Sequence, residues 1–536
     1  MSVLFYISLF LYTFTMSVIT NGVDFDFWAR IVVGKTFFQT GELLNYDFQS
    51  FGPTRQWFDH EWGSSLVFYQ ILDKFGDFGL IVFKSIMIFI TFFILTRIIL
   101  LRRRHLEERS GIKTSGTKAP NYFTTTPFNI LFFILLIQAV LDIVFTTVRC
   151  NTFTFLFFAI WLYALEKSRL EGNFRLLWII PVSMVIWANM HGGCFVGLGL
   201  LFLYAAGEFL NKKKFTPYLV VLALSFCAMF INPYGIKYVY FLFSAITLKR
   251  TMITEWQPIF HQIHMFKFFK FKLWAGAVAI ISLIFLVKKY KSIANNKTGT
   301  VEKIKAFYNS LDKTKALILI VMFLMSIKTL RLIPFFAFSA AVFLYDDIYK
   351  IFNKKLPNAI NNLKEIFVFV LILFSFIYTI KTNPLRTVVS GYPYVECEYL
   401  RINNLKGNLL ANFHFGSYLA YKLYPNIYIF MDGRYEESYD PSLLKRINNI
   451  YVGKNWEEEL SKQHIDYVIV EKPYDTLYQR LIQSGKWNAA VASKSFILLV
   501  RNGIEIKNPK IPTDDFEHYN KQKWQTNIDW SIKDAK

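Results

Sequence analysis

Long apolar runs constrain this chain more than any other feature of its sequence. About eleven segments are long and apolar enough to be membrane helices, each of which needs ~20 residues to cross a bilayer. The predicted spans are 3–20, 79–101, 127–147, 152–167, 175–190, 194–211, 215–231, 269–287, 315–333, 334–350 and 364–381. With 54% hydrophobic residues and 57 Phe in 536 residues, the chain is predicted to be an α-helical polytopic membrane protein.

The basic residues orient these spans. The net charge is +22, and Lys and Arg cluster after the second, sixth, eighth and tenth predicted spans, in "LRRRHLEERSGIKTSGTK", "NKKK", "KKYKSIANNK" and "YKIFNKKL". Because these segments fall on one face, the positive-inside rule predicts that this face is cytoplasmic. The N-terminus is then cytoplasmic, and eleven spans place the C-terminus outside. No basic helix or aromatic platform accompanies the charge, which argues against nucleic-acid binding.

The first apolar run and the cysteines exclude two other organisations. The run lacks a basic n-region and an A-x-A-like cleavage site, so it is interpreted as a retained span and not as a signal peptide. The four cysteines are scattered and show neither metal or redox spacing nor a disulfide framework.

The chain is predicted to have two domains. Residues 1–381 form the membrane domain, whose first external loop, 21–78, carries two surface helices that end at Gly41 and Gly76. From residue 382 the composition changes, and 382–536 is predicted to be an extracytoplasmic α/β domain with a mostly parallel sheet and a polar C-terminal tail. Its strands are "GNLLANF", "IYIFMDGR", "IDYVIVEK" and "SFILLVR", and its helices are "PSLLKRINNIYVG" and "YDTLYQRLIQSG".

Polar residues at the predicted span ends gather on the external face. They are Asp24, Asp26, Asp59, His60, Glu61, Arg149, Asn189, His191, Asn232, Glu255, Lys328 and Arg331. Such groups are costly close to a membrane, so their concentration on one side predicts a site there. Carboxylates together with cations suit a base and an anionic leaving group.

Each candidate also has a structural interpretation. Asp26 is a favoured residue for capping a helix that starts at Phe27, and Asp59 for capping a helix over 60–75. His60 and Glu61 then lie in the first turn of that second helix, where a carboxylate suits the helix dipole.

The remaining candidates have structural interpretations as well. A lone histidine such as His191 is more often a hydrogen-bonded structural residue than a functional one. Arg149 can extend its charged group to the membrane interface. Lys328 and Arg331 can simply end a span, although the charge bias disfavours them on this face, and a lipid phosphate is the obvious anion for them. The "DGR" of "FMDGRYEESYDP" is a polar turn after a strand, which either closes a βα unit or covers the membrane site.

The sequence resembles the GT-C superfamily of integral-membrane glycosyltransferases, and bacterial members in particular. The loop "DFDFWARIVVGKTFFQTGELLNYDFQSF…WFDHEWGSSL" carries the resemblance, together with "VRCNTFTFLFFAIWLYALE", "WANMHGG", "INPYG", "LRLIPFFAF" and "DGRYEESY". The likeness covers essentially the whole chain. The Trp-Trp-Asp-type motif of oligosaccharyltransferases is absent, which argues against that activity.

The resemblance implies a site on the extracytoplasmic face of the bacterial inner membrane. The donor is a polyprenyl-phosphate-linked sugar, and the acceptor is a glycan, lipid or protein. Asp26 is the expected base or acceptor-positioning carboxylate; Asp24 supports it or shares a divalent cation (Mg²⁺ or Mn²⁺) with it.

The other expected roles divide between the acidic and the basic candidates. Asp59 or Glu61 forms a second acidic arm, and Arg331 with Lys328 or Arg149 holds the phosphate. His191 orients donor or acceptor, and the remaining candidates for substrate binding are His60 and Asn189.

Two other functions stay open at this stage. A transporter or flippase for a lipid-linked or anionic substrate also uses intramembrane charges and broken helices. Against it, the charged residues lie at one face, and no inverted repeat is visible. The second alternative is a non-catalytic membrane scaffold that displays its C-terminal domain to partners.

Overall fold

A computed structural model describes residues 2–43, 45–109, 147–247, 254–261, 267–295, 299–352, 358–383, 385, 391–472 and 476–505. Most of the predicted span 127–147, and the predicted tail after residue 505, lie outside these residues. The chain is mostly helical, with a small sheet near its C-terminus. It divides into two compact units: a helical unit, 1–21 with 81–386, and a mixed unit, 22–80 with 387–536.

The helices, in chain order, are α1 Ser2–Ile19, α2 Phe27–Thr40, α3 Trp62–Arg109, α4 Asn151–Glu171, α5 Ile179–Met190, α6 Cys194–Leu210, α7 Thr216–Ala228, α8 Ile236–Thr247, α9 Phe269–Ala294, α10 Thr300–Ser310, α11 Lys313–Lys328, α12 Ile333–Phe352, α13 Asn358–Thr382, α14 Tyr394–Ile402, α15 Phe413–Leu423, α16 Tyr435–Ser438, α17 Pro441–Tyr451, α18 Trp456–Lys462 and α19 Thr476–Gln483. The strands are β1 Gly22–Val23, β2 Thr147–Val148, β3 Gly407–Leu410, β4 Ile427–Ile429, β5 Tyr467–Glu471, β6 Trp487–Ala492 and β7 Phe496–Arg501. Short 3₁₀ turns occur at Phe174–Trp178, Thr254–Trp256 and Leu330–Leu332.

The helical unit supports the predicted membrane helices only in part. Among the described residues, two helices are both long and apolar enough to cross a bilayer, Trp62–Leu106 and Phe269–Ala294. Shorter apolar helices, such as Cys194–Leu210 and Thr216–Ala228, coincide with further predicted spans. The helical character of the apolar runs that the structure describes is therefore confirmed, whereas the number of spans stays a prediction.

Side chains on these helices suit an apolar environment. Phe367 and Phe374 of α13 are 63% and 69% exposed, and Ile280 and Leu283 of α9 are each 62% exposed. Contiguous exposed apolar faces of this kind mark a membrane or a partner surface. Inside α1, hydroxyl groups donate to the carbonyl four residues earlier, as Ser8 does to Leu4 at 2.8 Å, so the helix satisfies its own polar groups.

Three local features go beyond the prediction of spans. The segment 232–268, which lies between two predicted spans, contains α8, and the segment 288–314, also between two predicted spans, contains the end of α9 and the whole of α10. The second surface helix of the first loop does break at Gly76, where φ is 61°, but helix continues directly after it, so α3 runs from Trp62 to Arg109.

The mixed unit is built on one five-stranded sheet with the order β4-β3-β5-β7-β6. β3 lies parallel to β4 and β5, whereas β7 lies antiparallel to β5 and β6. The four predicted strands and both predicted helices are present. The sheet is mixed, because β6, which the sequence analysis missed, forms a hairpin with β7. Leu410, Val468 and Leu499 are fully buried at its centre.

The first external loop belongs to the mixed unit. The N–H of Ile429 in β4 donates to Gln49 O at 3.1 Å, and Phe51 N–H donates to Ile429 O at 3.0 Å. The loop thus pairs with the β4 edge of the sheet. Helix α2 packs against α15, where the Trp28 ring contacts Tyr418 edge-to-face and Tyr421 at a tilt of 31°. The sequence analysis had assigned this loop to the membrane domain.

Candidate functional site

The Asp-x-Asp pair lies at the start of α2 in the mixed unit. Asp26 directly precedes the helix and is exposed, but its side chain makes no capping hydrogen bond. Its N–H instead donates to Asp24 Oδ1 at 3.0 Å. Asp24 therefore forms a local turn that orients Asp26, and the side chain of Asp26 is not occupied as a helix cap.

The "DGR" turn anchors the first loop to the sheet through buried ions. Arg434 donates to Asp432 Oδ2 at 2.7 Å and to Asp47 Oδ2 at 3.0 Å, and Tyr439 donates to Asp47 Oδ2 at 2.7 Å. The guanidinium carbon lies 4.7 Å from the ring centre of Trp57. Burial alone would raise the pKa of Asp47, but Arg434 and the hydrogen bonds lower it below the usual carboxyl value.

A second ionic group surrounds Arg30 of α2. Arg30 pairs with Asp59, which is 1% exposed, and its Nη1 lies 3.5 Å from Glu61 Oε2. Asp59 Oδ1 also accepts from Glu61 N–H at 2.9 Å, one residue before α3 begins. His60 lies between two carboxylates, with ring nitrogens 3.8 Å from Glu61 and 3.7 Å from Glu437. Asp59 therefore has the contacts of a structural ion, while Glu61 stays partly accessible.

The expected divalent cation would need several oxygen ligands close together. Among the described residues, no group of three or more His, Cys, Asp or Glu side chains is arranged to hold a metal ion. Asp24 Oδ1 accepts the N–H of Asp26, so this oxygen is engaged in the local turn. The divalent cation stays a prediction.

The basic candidates of the helical unit gather around Glu255. Arg149 binds Glu255 with both terminal nitrogens, at 2.8 and 3.3 Å, and Arg331 Nη1 lies 3.6 Å from Glu255 Oε1. These three side chains stay 19–28% exposed. Burial alone would raise the pKa of Glu255, but the two arginines lower it to about 2. The group therefore carries a net positive charge and remains open to solvent.

His191 and Trp256 complete this basic group. His191 Nε2 lies 3.1 Å from Arg331 Nη2, and His191 Nδ1 lies 2.7 Å from Thr154 Oγ1. A ring held at both nitrogens has a fixed orientation. Arg331 also stacks on Trp256, with its guanidinium carbon 5.2 Å from the ring centre. The basic group is hereafter Arg149, Arg331, Glu255 and His191.

The other predicted site residues lie apart from these contacts. The Asn189 amide donates to Val185 O at 2.7 Å and to Ile231 O at 2.9 Å, which are structural bonds that join α5 to the end of α7. Lys328 is the last residue of α11 and is exposed. The sequence analysis placed Glu255 on the external face without a role, and it missed Glu437 and Trp256. The Glu-Trp pair in "TEWQPIF", within an external segment, was the only available signal.

The sequence matches no known protein-family model and no curated protein. Sixteen chains of solved structures match the fold. One is the archaeal oligosaccharyltransferase AglB from Archaeoglobus fulgidus, in complex with an inhibitory peptide and a dolichol-phosphate. The match covers 87% of this chain and 69% of that one, with a TM-score of 0.49 and 10% sequence identity. A likeness this low carries no conclusion about the reaction or the residues of this chain.

Proposed function

We propose that the chain is a membrane glycosyltransferase that moves a sugar from a polyprenyl-phosphate donor to an acceptor hydroxyl on the extracytoplasmic face. The acceptor is a glycan, lipid or protein. The observation that carries the proposal is the partly open basic group around Glu255, at a position that the charge bias of the connecting segments assigns to that face. The sequence resemblance to GT-C enzymes agrees with it.

We assign the basic group to the phosphate of the leaving lipid. A guanidinium presents parallel N–H donors that match the oxygens of a phosphate, and it stays charged at all working pH values. Arg149 and Arg331 outweigh the single charge of Glu255, so the group attracts an anion. Donors held in place beforehand stabilise the charge that develops on the lipid phosphate as the glycosidic bond breaks. We assign His191 to the orientation of Arg331.

We assign the proton transfer of the reaction to the carboxylates of the mixed unit. Asp26 is exposed, and its side chain is not used as a cap, so it is the candidate base. The acceptor oxygen forms a bond to the anomeric carbon and its proton passes to Asp26. The bond from that carbon to the phosphate oxygen breaks, and its electron pair leaves with the lipid phosphate. Positioned proton transfer of this kind contributes roughly 10²–10⁴-fold to a rate.

Supporting roles follow from the contacts of the remaining acids. Asp24 orients Asp26 through the backbone hydrogen bond, and Asp59 neutralises buried Arg30. Glu61, with His60 beside it, is the carboxylate that we assign to acceptor binding. Lys328 is assigned to the polar rim of the phosphate site.

Purified protein supplied with a radiolabelled polyprenyl-phosphate sugar tests the proposal. Asp26→Asn should lower sugar transfer about 10²–10⁴-fold, since it removes the base, and thermal unfolding should stay unchanged because Asp26 is exposed. Arg331→Gln should lower transfer as well and weaken binding of the lipid phosphate. Asp440→Asn is the matched control, because Asp440 is an exposed carboxylate of the same unit that pairs with Arg55 at the surface.

The result also separates the competing functions. Normal transfer by Asp26→Asn removes Asp26 from the mechanism. Uptake of labelled substrate into liposomes, without transfer or donor hydrolysis, would support a transporter. Absence of transfer, hydrolysis and uptake would favour the scaffold.

A further inference from the structure

We propose that Gly433 is a positioning residue for Asp26, so that the "DGR" turn of the C-terminal part of the chain sets the geometry of the base. The proposal rests on the assignment of Asp26 as the base. Both residues lie in the mixed unit. The turn is not required to touch substrate; it fixes where the carboxylate rests.

The first observation is the close approach of the two residues. A methyl group added at Gly433 would come 2.8 Å from Asp26 Oδ1 and 4.0 Å from Asp26 Cγ. Apart from chain neighbours, no other atom of the described residues lies within 4 Å of that position. The φ angle of Gly433 is not in the left-handed region, so alanine fits its backbone. Among the described residues, the Asp26 carboxylate is thus the one group that a side chain at 433 would displace.

The second observation is that packing prevents the "DGR" turn from moving away from Asp26. The Cβ position of Gly52 lies 2.2 Å from Phe430 O, and that of Gly416 lies 2.2 Å from Met431 O, so the backbone before the turn is packed directly against two other backbones. Ser417 also donates to Asp432 Oδ2 at 3.1 Å. With these contacts and the Arg434 ion pairs in place, a methyl group at 433 has to be accommodated by a movement of Asp26.

The backbone of Asp26 is equally fixed. Trp28 packs against the tyrosines of α15, and the Cβ position of Gly34 lies 2.4 Å from Ser65 O, which leaves no gap between α2 and α3. The N–H of Asp26 is held by Asp24. What can move is the Asp26 side chain, which is exposed, so that its contacts contribute little to the folding free energy. Gly433→Ala therefore displaces one carboxylate and little else.

The consequence is kinetic. A misplacement of about 1 Å in a catalytic group can cost on the order of 10²-fold in rate. We expect Gly433→Ala to lower kcat by about 10–100-fold, with the KM for the polyprenyl-phosphate donor and the melting temperature unchanged. A purely structural role for Gly433 would lower the melting temperature and would not separate kcat from KM.

A double-mutant cycle in the full-length protein tests the route of the effect. If Gly433→Ala acts through Asp26, adding it to Asp26→Asn should produce no further loss of transfer. The control is Gly199→Ala in α6, where no atom of the described residues lies within 4 Å of the new methyl group. This control should match the wild type in kcat and KM.

The outcomes separate this inference from the proposed function. If Asp26→Asn is inactive and Gly433→Ala turns over like the wild type, the positioning role is wrong and the base stands. If the double variant loses activity beyond Asp26→Asn by the full factor of Gly433→Ala, the glycine acts by another route and the inference is again overturned. If Asp26→Asn is fully active, Asp26 is not the base and this inference falls with that assignment, whereas absence of transfer by the wild type would overturn the proposed function itself.

Discussion

At the scale of single residues, Glu255 both positions the two arginines and competes with a phosphate for their N–H donors. It binds two guanidinium groups that we assign to phosphate, and it therefore holds them in place before the substrate arrives. Its carboxylate also occupies some of the N–H donors that a phosphate needs and repels the phosphate charge. Because the arginines hold its pKa at about 2, it is ionised throughout the physiological range.

Glu255→Gln should therefore tighten product binding. The change removes a negative charge next to the bound phosphate but keeps a side chain of the same shape. We expect the inhibition constant of free polyprenyl phosphate to fall several-fold, measured by product inhibition of sugar transfer. Glu108→Gln, at an exposed position of α3, should leave it unchanged. Weaker inhibition in Glu255→Gln would show that organisation of the arginines outweighs repulsion.

The site shows what one sequence can supply and what it cannot. The charge bias and the span ends selected Arg149, His191 and Arg331, which the structure does bring together. Their link through Glu255 was not predictable, because Glu255 is 106 residues from Arg149 along the chain and their contact depends on how helices pack. Hydrophobic periodicity likewise cannot show that Gly433 lies close to Asp26 in the fold.

At the scale of elements, the ends of the helices opposite the basic group carry a buried ionic network. Arg169 of α4 donates to Glu208 of α6 at 2.6 Å and to Asp312, which caps α11, at 2.5 Å. Glu166 pairs with Arg102 and accepts from Tyr204. The sequence analysis expected mainly Lys and Arg at these ends. Composition alone does not show that acidic residues on several helices converge on shared arginines.

Arg169→Met should destabilise the helical unit strongly. It leaves Glu208 without its closest cation in a site where Arg169 is 6% exposed, and breaking a buried ion pair costs about 3–5 kcal/mol. Thermal unfolding in detergent should show the loss. Arg104→Met is the control, because its partner Glu108 is exposed and such pairs contribute little. Equal melting temperatures for both variants would contradict a structural role for the network.

Helices and strands were predicted correctly where the hydrophobic period and the length of a segment indicated the same element. Long apolar runs gave helices, and β5 and β7 were found because Val, Ile and Leu dominate them. β6, "WNAAVA", was missed because its alanines carry little strand preference. α10 was missed because it is polar and buries no side chain, so its composition resembles that of a connector.

At the scale of the whole molecule, the mixed unit is assembled from two stretches of chain separated by more than half of the sequence. Its sheet edge at β4 is completed by residues of the first loop, and Asp47 of that loop neutralises Arg434 beside it. Predicting this unit required knowing which distant segments pair, and a single sequence does not contain that information. The α/β domain is therefore completed by a loop that carries the candidate base.

Removing Asp47 should loosen both stretches together. Asp47→Ala leaves the buried Arg434 with Asp432 alone, and losing one partner of such a network costs about 3–5 kcal/mol. Amide hydrogen exchange should increase over residues 47–57 and over 427–434 in the same variant, because the two segments share hydrogen bonds and ions. Arg55→Gln, which breaks only the exposed pair with Asp440, should leave exchange in both segments unchanged.

Acid should act in the same direction as the substitution. The folded pKa of Asp47 lies below its usual value, so its stabilisation is present above the ordinary carboxyl pKa and is lost as the pH falls below it. The protection factors of both segments in the wild type, which compare each amide with its intrinsic exchange rate at the same pH, should therefore fall on acidification, and Asp47→Ala should lose this contribution to the pH dependence. If exchange rises over residues 47–57 while 427–434 stays protected, the loop is only an attachment to the sheet, and the carboxylates at its start are not held by the C-terminal part of the chain.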